Sequence, residues 1–316
     1  MEYKSLGASG LQISAVGLGC NNFGMRIDKE KSAEVVGRAL ELGINFFDTA
    51  DIYGGTLSEQ FLGAALGERR PHVIVATKFG GPTGEGPGNR GGSRGYIIRA
   101  VEASLRRLNT DYIDLYQYHF PDVKTPIEES LRAMDDLVRS GKVRYIGSSN
   151  MPAWQAVEAH WLAKSEHLNP FITAQNEYSL IDRRAERELV PACRKYGIGL
   201  LPYFPLASGL LTGKYSRGEA PADDTRIGTW GARGQQLLTD RNFDIVEGLQ
   251  KFAAERDKSL LDVAIGWLAG QDVVSSVIAG ATKPEQVEQN AAAADLHLSP
   301  EELAEIDTIT SGKGKV

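Results

Sequence analysis

A (β/α)8 TIM barrel, with a β-hairpin in front and extra helices at the C-terminal end, is the α/β fold this sequence predicts. Three observations carry it. Short apolar runs alternate with amphipathic stretches of helical period along the 316-residue chain. No linker-like shift in composition interrupts the pattern, so residues 1–316 read as one domain. Four side chains capable of acid–base chemistry, Asp48, Tyr53, Lys78 and His119, sit at or just past the ends of successive apolar runs. The C-terminal ends of parallel strands are where such a barrel builds its active site.

Segments 3–6 and 11–13 flank Gly7-Ala8-Ser9-Gly10 and read as the hairpin. Strands follow at 15–18, 45–48, 73–78, 113–118, 143–148, 172–175, 199–203 and 273–278. Helical patterns lie at 29–42, 58–66, 93–108, 126–140, 152–164 and 186–196. Four more, at 240–256, 260–269, 284–293 and 300–310, complete the chain. Thr125 before Pro126, with Glu128 three positions after Thr125, reads as a capping box with proline opening the helix. Asn150 ahead of Met151 and Pro152 marks another helix entry. Gly43, Gly141 and Gly197 follow the last apolar residue of their helices, as C-terminal caps do. Two long connections, 79–92 and 204–239, leave strand ends on the active-site face and read as lids or substrate walls.

Composition narrows the function classes. An apolar fraction of 42% with 24% charged residues is globular. A formal charge of −6, without a basic cluster interleaved with aromatics, argues against nucleic acid or an anionic membrane as partner. Two cysteines, Cys20 and Cys193, are too few for a disulfide framework. His160 and His167 lie two helical turns apart without a placed third ligand, so no metal is expected. The start has no apolar leader, and no apolar span of membrane length occurs. A reduced, cytoplasmic protein is the expectation.

Gly86, Gly88 and Gly91 spell GxGxxG, the dinucleotide-binding fingerprint of a Rossmann unit. The context is wrong. The motif begins eight residues past Lys78, whereas the fingerprint turns directly from strand into helix. Asp111 and Asp114 also come too early to be its ribose-binding acid. The stretch reads as a glycine-rich loop, and Gly17-Leu18-Gly19 with Asn22 fails for want of a third glycine.

Asp48 closes Ile44-Asn45-Phe46-Phe47-Asp48, Lys78 closes 73–78, and His119 closes 112–119. Tyr53 stands five residues past Asp48. Singly, each has an ordinary reading: a surface phenol, a solvent-facing ammonium, a helix-capping carboxylate, a rim imidazole. Together, at these strand ends, they point to proton transfer to or from an oxygen.

Five separated segments carry a resemblance over nearly the whole chain: 2–24, 43–66, 114–122, 141–150 and 203–215. They contain Gly43-Ile44-Asn45-Phe46-Phe47-Asp48-Thr49-Ala50 followed by Tyr53, the run around His119, Gly147-Ser148-Ser149-Asn150, and Tyr203 through Tyr215. In this order they resemble the aldo-keto reductase family. The resemblance implies a barrel enzyme that reduces aldehydes and ketones to alcohols, reversibly, with a nicotinamide coenzyme. In that reading Tyr53 donates the proton. Lys78, paired with Asp48, lowers the phenol's pKa by roughly 1–3 units. His119 orients the carbonyl and donates a hydrogen bond to its oxygen.

The resemblance also implies coenzyme residues. Ser149, Asn150 and Gln175 match those holding the carboxamide, and Tyr203 matches the aromatic on which the nicotinamide stacks. Leu206, Ser208, Leu210 and Lys214 match the pyrophosphate loop. Gly280, Lys283, Gln286, Gln289 and Asn290 match the adenosine segment. Many family members carry basic side chains at the positions of Gly280, Thr282 or Gln286, whereas this chain keeps only Lys283 there. NADP(H) is the preferred coenzyme and NAD(H) the alternative. The substrate wall falls to Asn21 and Phe23. Asn21 makes it more polar, which favours hydroxylated carbonyl compounds. Cys20 reads as a packing residue.

Potassium channel β subunits resemble the same family, so a nicotinamide-binding regulatory subunit with slow turnover is the second reading. The given sequence opens directly on the hairpin, and an inhibitory N-terminal segment is not expected. A barrel glycosidase would need two flanking carboxylates, and Glu177 stands alone. Neither the substrate nor the oligomeric state is readable.

Overall fold

The computed structural model describes residues 1–86, 88–223 and 225–311, with the side chain of residue 233 left aside. The hairpin is β1 (Tyr3–Ser5) and β2 (Gln12–Ser14), paired antiparallel. Eight parallel strands follow: β3 (Val16–Gly19), β4 (Phe46–Asp48), β5 (Ile74–Phe79), β6 (Ile113–Tyr118), β7 (Val143–Ser149), β8 (Phe171–Gln175), β9 (Gly199–Leu200) and β10 (Val277–Gly280). Neighbours pair in chain order from β3 to β9, and β10 returns to pair with β3. The gap between β9 and β10 is closed by Leu200, whose N–H donates to Val273 O and whose O accepts from Ser275 N–H. The sheet is therefore a (β/α)8 barrel.

The helices are α1 (Lys29–Glu41), α2 (Leu57–Leu66), α3 (Arg94–Leu108), α4 (Ile127–Arg139), α5 (Ala153–Ser165) and α6 (Leu189–Tyr196). After β9 come the single turns α7 (Arg226–Thr229) and α8 (Ala232–Gln235), then α9 (Asp240–Ala254), α10 (Leu260–Ala269), α11 (Pro284–Ala293) and α12 (Pro300–Thr310). Two of these starts carry a full capping box, Ser259 with Asp262 and Ser299 with Glu302. The extra helices α9 and α12 are joined by ion pairs from Arg256 to Glu302 and Glu305.

Inside the barrel, Phe46, Ala76, Leu115, Leu201 and Ile278 pack with Leu6 and Ile13 of the hairpin. The hairpin thus plugs the end where the strands begin. At Gly7, φ is +56°, and a Cβ would lie 2.5 Å from Ile172 O, so only glycine lets the plug seat. Function is left to the other end, where the strands finish.

Several boundaries differ from the sequence expectation. The last strand begins at Val277 instead of residue 273, because Val273–Ser275 pair with Leu200 to close the barrel. Tyr203 lies beyond β9, in an isolated bridge to Glu177. The capping box at Thr125 does not form. Its hydroxyl donates to Asp122 Oδ2 (2.7 Å), and Pro126 is the N-cap, with no side-chain cap bond. Gly86, Gly88 and Gly91 lie in the connection between β5 and α3, outside helix and strand, and this is pinned where Gly92 N–H donates to Asp122 (3.1 Å); residue 87 lies outside the described residues. Among the described residues, no helix is long and apolar enough to cross a membrane.

Candidate active site

Strand register brings the chemistry together. Asp48 ends β4, Lys78 lies one residue from the end of β5, and His119 follows β6 directly. Ser149 and Gln175 end β7 and β8, and Gly280 ends β10. Asp48, His119, Ser149, Gln175 and Gly280 all border one cavity of about 840 Å3, the size of a small-molecule site, with Lys78 beneath it.

The floor is a buried charge pair. Lys78 is fully buried, and its Nζ donates to Asp48 Oδ2 (2.7 Å), Thr49 O (2.8 Å) and the Tyr53 hydroxyl (3.3 Å). Three acceptors use up the ammonium's three donors. The other carboxylate oxygen of Asp48 accepts from Gln175 Nε2 (2.8 Å) and Gln117 Nε2 (3.4 Å). A buried pair is stable only when its remaining atoms are satisfied, as here. The His119 ring stacks on Phe120 (4.0 Å between centres) and meets Tyr53 edge-on (5.8 Å).

Burial reverses one expectation. It pushes the Tyr53 phenol up; the Lys78 ammonium pulls down, Asp48 pushes up, and the net direction is above the ordinary value of 10.0. The predicted lowering therefore does not occur, because desolvation outweighs the cation. Tyr53 keeps its proton at neutral pH. Burial also works against the Lys78 charge, but Asp48 and Tyr53 hold its pKa above the usual range. Burial, helped by Lys78, pushes His119 well below 6.5, so the imidazole is neutral.

The upper rim is also tied together. Asn150, held at φ +56°, donates from Nδ2 to His119 O (3.0 Å) and Ser149 Oγ (3.1 Å). Its Oδ1 accepts from the Tyr203 hydroxyl (2.7 Å). Phe204, Ala207 and Ser208 all have positive φ near 50°, a strained run for non-glycine residues that folds this loop against the cavity.

Of the sequence-predicted residues, Asp48, Tyr53, His119, Asn21, Ser149, Asn150, Gln175, Tyr203, Leu206, Ser208, Lys214, Gly280, Gln286, Gln289 and Asn290 line the cavity. Lys78 lies beneath it. Phe23 does not reach it: the ring is fully buried against the barrel's outer face, so it forms no substrate wall. Leu210 is likewise sealed in the core. Lys283 caps α11 from an exposed position outside the lining. Asn21 faces Gly280, where a Cβ would come within 3.2 Å of its Oδ1, so its polarity belongs to that wall. The lining residues that sequence reasoning missed include Ile52, Phe120, Phe204, Arg26 and Arg226. Phe120 was within reach, since it directly follows His119. No spacing rule connects 26 with 226.

One acid lies just behind the floor. Asp51 is buried, its Oδ1 has no partner, and its Oδ2 contacts the Tyr96 hydroxyl (3.2 Å). Burial and the nearby Glu59 raise its pKa to about 7, against a smaller pull from Tyr96 and Arg107. A folded pKa above the ordinary 3.8 means full stability below about 4, lost as pH rises through 7. Asp51→Asn should therefore gain on wild type from pH 5 to pH 8.5, by up to about 3 kcal/mol. Urea unfolding at both pH values checks this; a constant difference would contradict it.

The fold and site define a barrel protein with an acid–base cluster on the floor of a long cavity. The sequence matches the model of the aldo/keto reductase family over residues 15–311, and the chain belongs to that family. It is 39% identical over 324 residues to a probable voltage-gated potassium channel subunit beta of rice, Oryza sativa, covering 100% of this chain and 98% of that one. It is 35% identical over 321 residues to the L-glyceraldehyde 3-phosphate reductase of Escherichia coli, covering 97% and 92%. Versiconal hemiacetal acetate reductase of Aspergillus parasiticus is 34% identical over 330 residues, with 96% and 95% covered.

Proposed function

We propose that this protein, one domain over 1–316, is an NAD(P)H-dependent reductase of aldehyde and ketone carbonyls that also runs in reverse. The observation carrying the proposal is Lys78 Nζ, which joins a carboxylate and a protonated phenol at the foot of a cavity of coenzyme size. The reductase names among the relatives support it.

The wall fits a nicotinamide coenzyme. Gly280 leaves a notch that a side chain would fill, and Ser149, Asn150 and Gln175 set amide and hydroxyl groups beside the tetrad. These three would hold the carboxamide, and Tyr203, tethered to Asn150, would stack on the ring. Leu206, Ser208 and Lys214 would follow the pyrophosphate, and Gln286, Gln289 and Asn290 the adenosine. The coenzyme, when bound, supplies the hydride.

The chain's own residues handle the oxygen. Tyr53 holds the proton and gives it to the carbonyl oxygen as negative charge builds there. Lys78 stabilises the phenolate that remains, and Asp48 keeps Lys78 charged. Neutral His119 steers the carbonyl with a hydrogen bond and needs no proton exchange of its own.

NADPH is preferred, with Lys214 the lysine on the wall; Asp262, also on the wall, opposes a 2′-phosphate. The preference should therefore be modest, on the order of tenfold, equivalent to about 1.4 kcal/mol. No nucleic acid, membrane or metal partner and a cytoplasmic site complete the reading, supported by the −6 charge and two buried thiols.

The test is steady-state oxidation of NADPH and NADH with a panel of aldehydes and ketones from pH 5.5 to 10.5. kcat/KM should show no limb near 6.5, because His119 is already neutral, and should hold until the Tyr53 phenol ionises above 10. A rising limb near 6.5 would contradict the assigned roles. A regulatory subunit with slow turnover is the second reading, favoured by the rice relative's name.

A further inference from the structure

The turn that carries Tyr53 has a backbone that needs outside support. Gly54, Gly55 and Thr56 follow Tyr53 with φ of +58°, +62° and +82°. Left-handed backbone is strained for Thr56, whose side chain branches at Cβ, and such strain persists only where the surroundings over-determine it. Several contacts constrain the turn. Asp51 N–H donates to Lys78 O (3.1 Å). Gly54 sits so close to the loop between β3 and α1 that a Cβ would fall 2.3 Å from Phe23 O. Another contact is a polar junction, where the Tyr96 hydroxyl lies 3.0 Å from Gly81 O and 3.2 Å from Asp51 Oδ2. Tyr96 stands in the first turn of α3, and Gly81 in the connection from β5. The junction also supports the cavity wall. A Cβ at Gly81 would lie 2.8 Å from Ile52 Cγ2, and Ile52 lines the cavity with Tyr53.

One proton decides how the junction is bonded. A phenol has a single hydrogen to give, and that of Tyr96 faces two oxygens that ordinarily accept. Given to Gly81 O, the nearer of the two, it leaves Asp51 bonded only if the carboxyl carries its own proton and donates to Tyr96. Asp51 and Tyr96 are both buried, and Asp51 Oδ1 has no partner among the described residues. That position suits the carbonyl oxygen of a neutral acid better than half of a carboxylate. The groups facing Asp51 are Tyr96 and Arg107 from α3, Glu59 from α2 and Tyr116 from β6. Burial and then Glu59 favour the proton, against Tyr96 and Arg107, and Asp51 keeps it below about pH 7. Above that the carboxylate accepts from Tyr96, so the tie to the Tyr53 turn persists and only Gly81 is released.

We propose that Asp51 and Tyr96 are positioning residues, whose hydrogen-bonded chain to Gly81 O holds the turn of Ile52 and Tyr53 so that the Tyr53 hydroxyl stays on Lys78 and faces the substrate carbonyl. The proposal rests on the carbonyl-reduction reading. Asp51 and Tyr96 act through the place of Tyr53 and touch no substrate themselves.

The test compares wild type with Tyr96→Phe, Asp51→Leu and Asp51→Asn at pH 6, below their thermal transitions. Three things are read: kcat and KM with the best aldehyde or ketone of the panel, the solvent deuterium isotope effect on kcat, and amide hydrogen exchange of residues 50–57. Tyr96→Phe and Asp51→Leu should lower kcat about tenfold, less than the roughly hundredfold cost of a misplacement of about 1 Å. The isotope effect should rise because proton transfer slows, and exchange of 50–57 should quicken, while KM for NADPH stays unchanged. Asp51→Asn, whose amide donates to Tyr96 as the neutral acid does, should match wild type in all of these. Tyr96→Phe and Asp51→Leu break the chain from its two sides, so failure of one to fold leaves the other.

Loss of stability with wild-type kcat and isotope effect would overturn the proposal, since the chain would then serve only the fold. Equal losses in Asp51→Asn and Asp51→Leu would overturn it too, because the carboxylate charge would then be what matters. So would a raised KM for NADPH with unchanged kcat. Absence of turnover in wild type would instead fail the reductase reading. Hydrogen exchange then decides the positioning role: faster exchange of 50–57 in Tyr96→Phe but not in Asp51→Asn upholds it, and exchange equal to wild type overturns it.

Discussion

Tyr53→Phe is expected to lower kcat by about 10²–10⁴-fold, the usual contribution of a positioned proton donor. The fold should survive with a modest loss of stability. The lost hydroxyl has Lys78 as its hydrogen-bond partner, at 3.3 Å, and Lys78 keeps the two shorter bonds to Asp48 and Thr49. Removing the third acceptor leaves one donor of the buried ammonium without a partner, which costs about 1–3 kcal/mol. Coenzyme affinity should also survive, because Tyr203, Asn150 and Gln175 are untouched. Steady-state kinetics beside thermal unfolding checks both halves. A variant that retains more than a tenth of wild-type kcat would show that the proton comes from elsewhere.

Lys78→Met should be harsher, since it damages fold and chemistry together. Asp48 would keep two amide donors, Gln175 and Gln117, but lose the cation 2.7 Å away. Breaking a buried pair on one side typically costs about 3–5 kcal/mol. The phenolate formed by proton donation would also lose its counter-ion. The double variant Asp48→Asn with Lys78→Met separates the two effects. With no charge left unpaired, it should recover much of the stability that the single change loses, while turnover stays low. Recovery of turnover together with stability would mean that Lys78 serves only the fold.

Much of this was legible in the sequence for identifiable reasons. Gly43, Gly141 and Gly197 marked helix ends because a left-handed residue is needed there, and their φ values are +79°, +78° and +68°. Asp48, Lys78 and His119 were readable because each closes an apolar run, and parallel strands align such ends at one rim. The last strand was misjudged because 273–279 is nearly continuous in apolar character. Its first half closes the barrel against Leu200, and its second half pairs with β3. Phe23 was assigned to the cavity by position, but the ring turns into the core. The fall in the Tyr53 pKa was expected from the nearby cation alone, without the desolvation of a half-buried phenol, which raises it. Arg26 and Arg226 lie 200 positions apart, and a single asparagine, Asn22, links their loops; nothing local in sequence encodes that meeting.

The most direct measurement is the fate of deuterium from NADPH labelled at both C4 positions of the nicotinamide, incubated with wild type and 4-carboxybenzaldehyde or benzaldehyde. The account predicts an alcohol carrying one deuterium on the carbinol carbon, formed repeatedly by each protein molecule and nearly abolished by Tyr53→Phe. Tight coenzyme binding with no labelled alcohol from any carbonyl compound in the panel would contradict it.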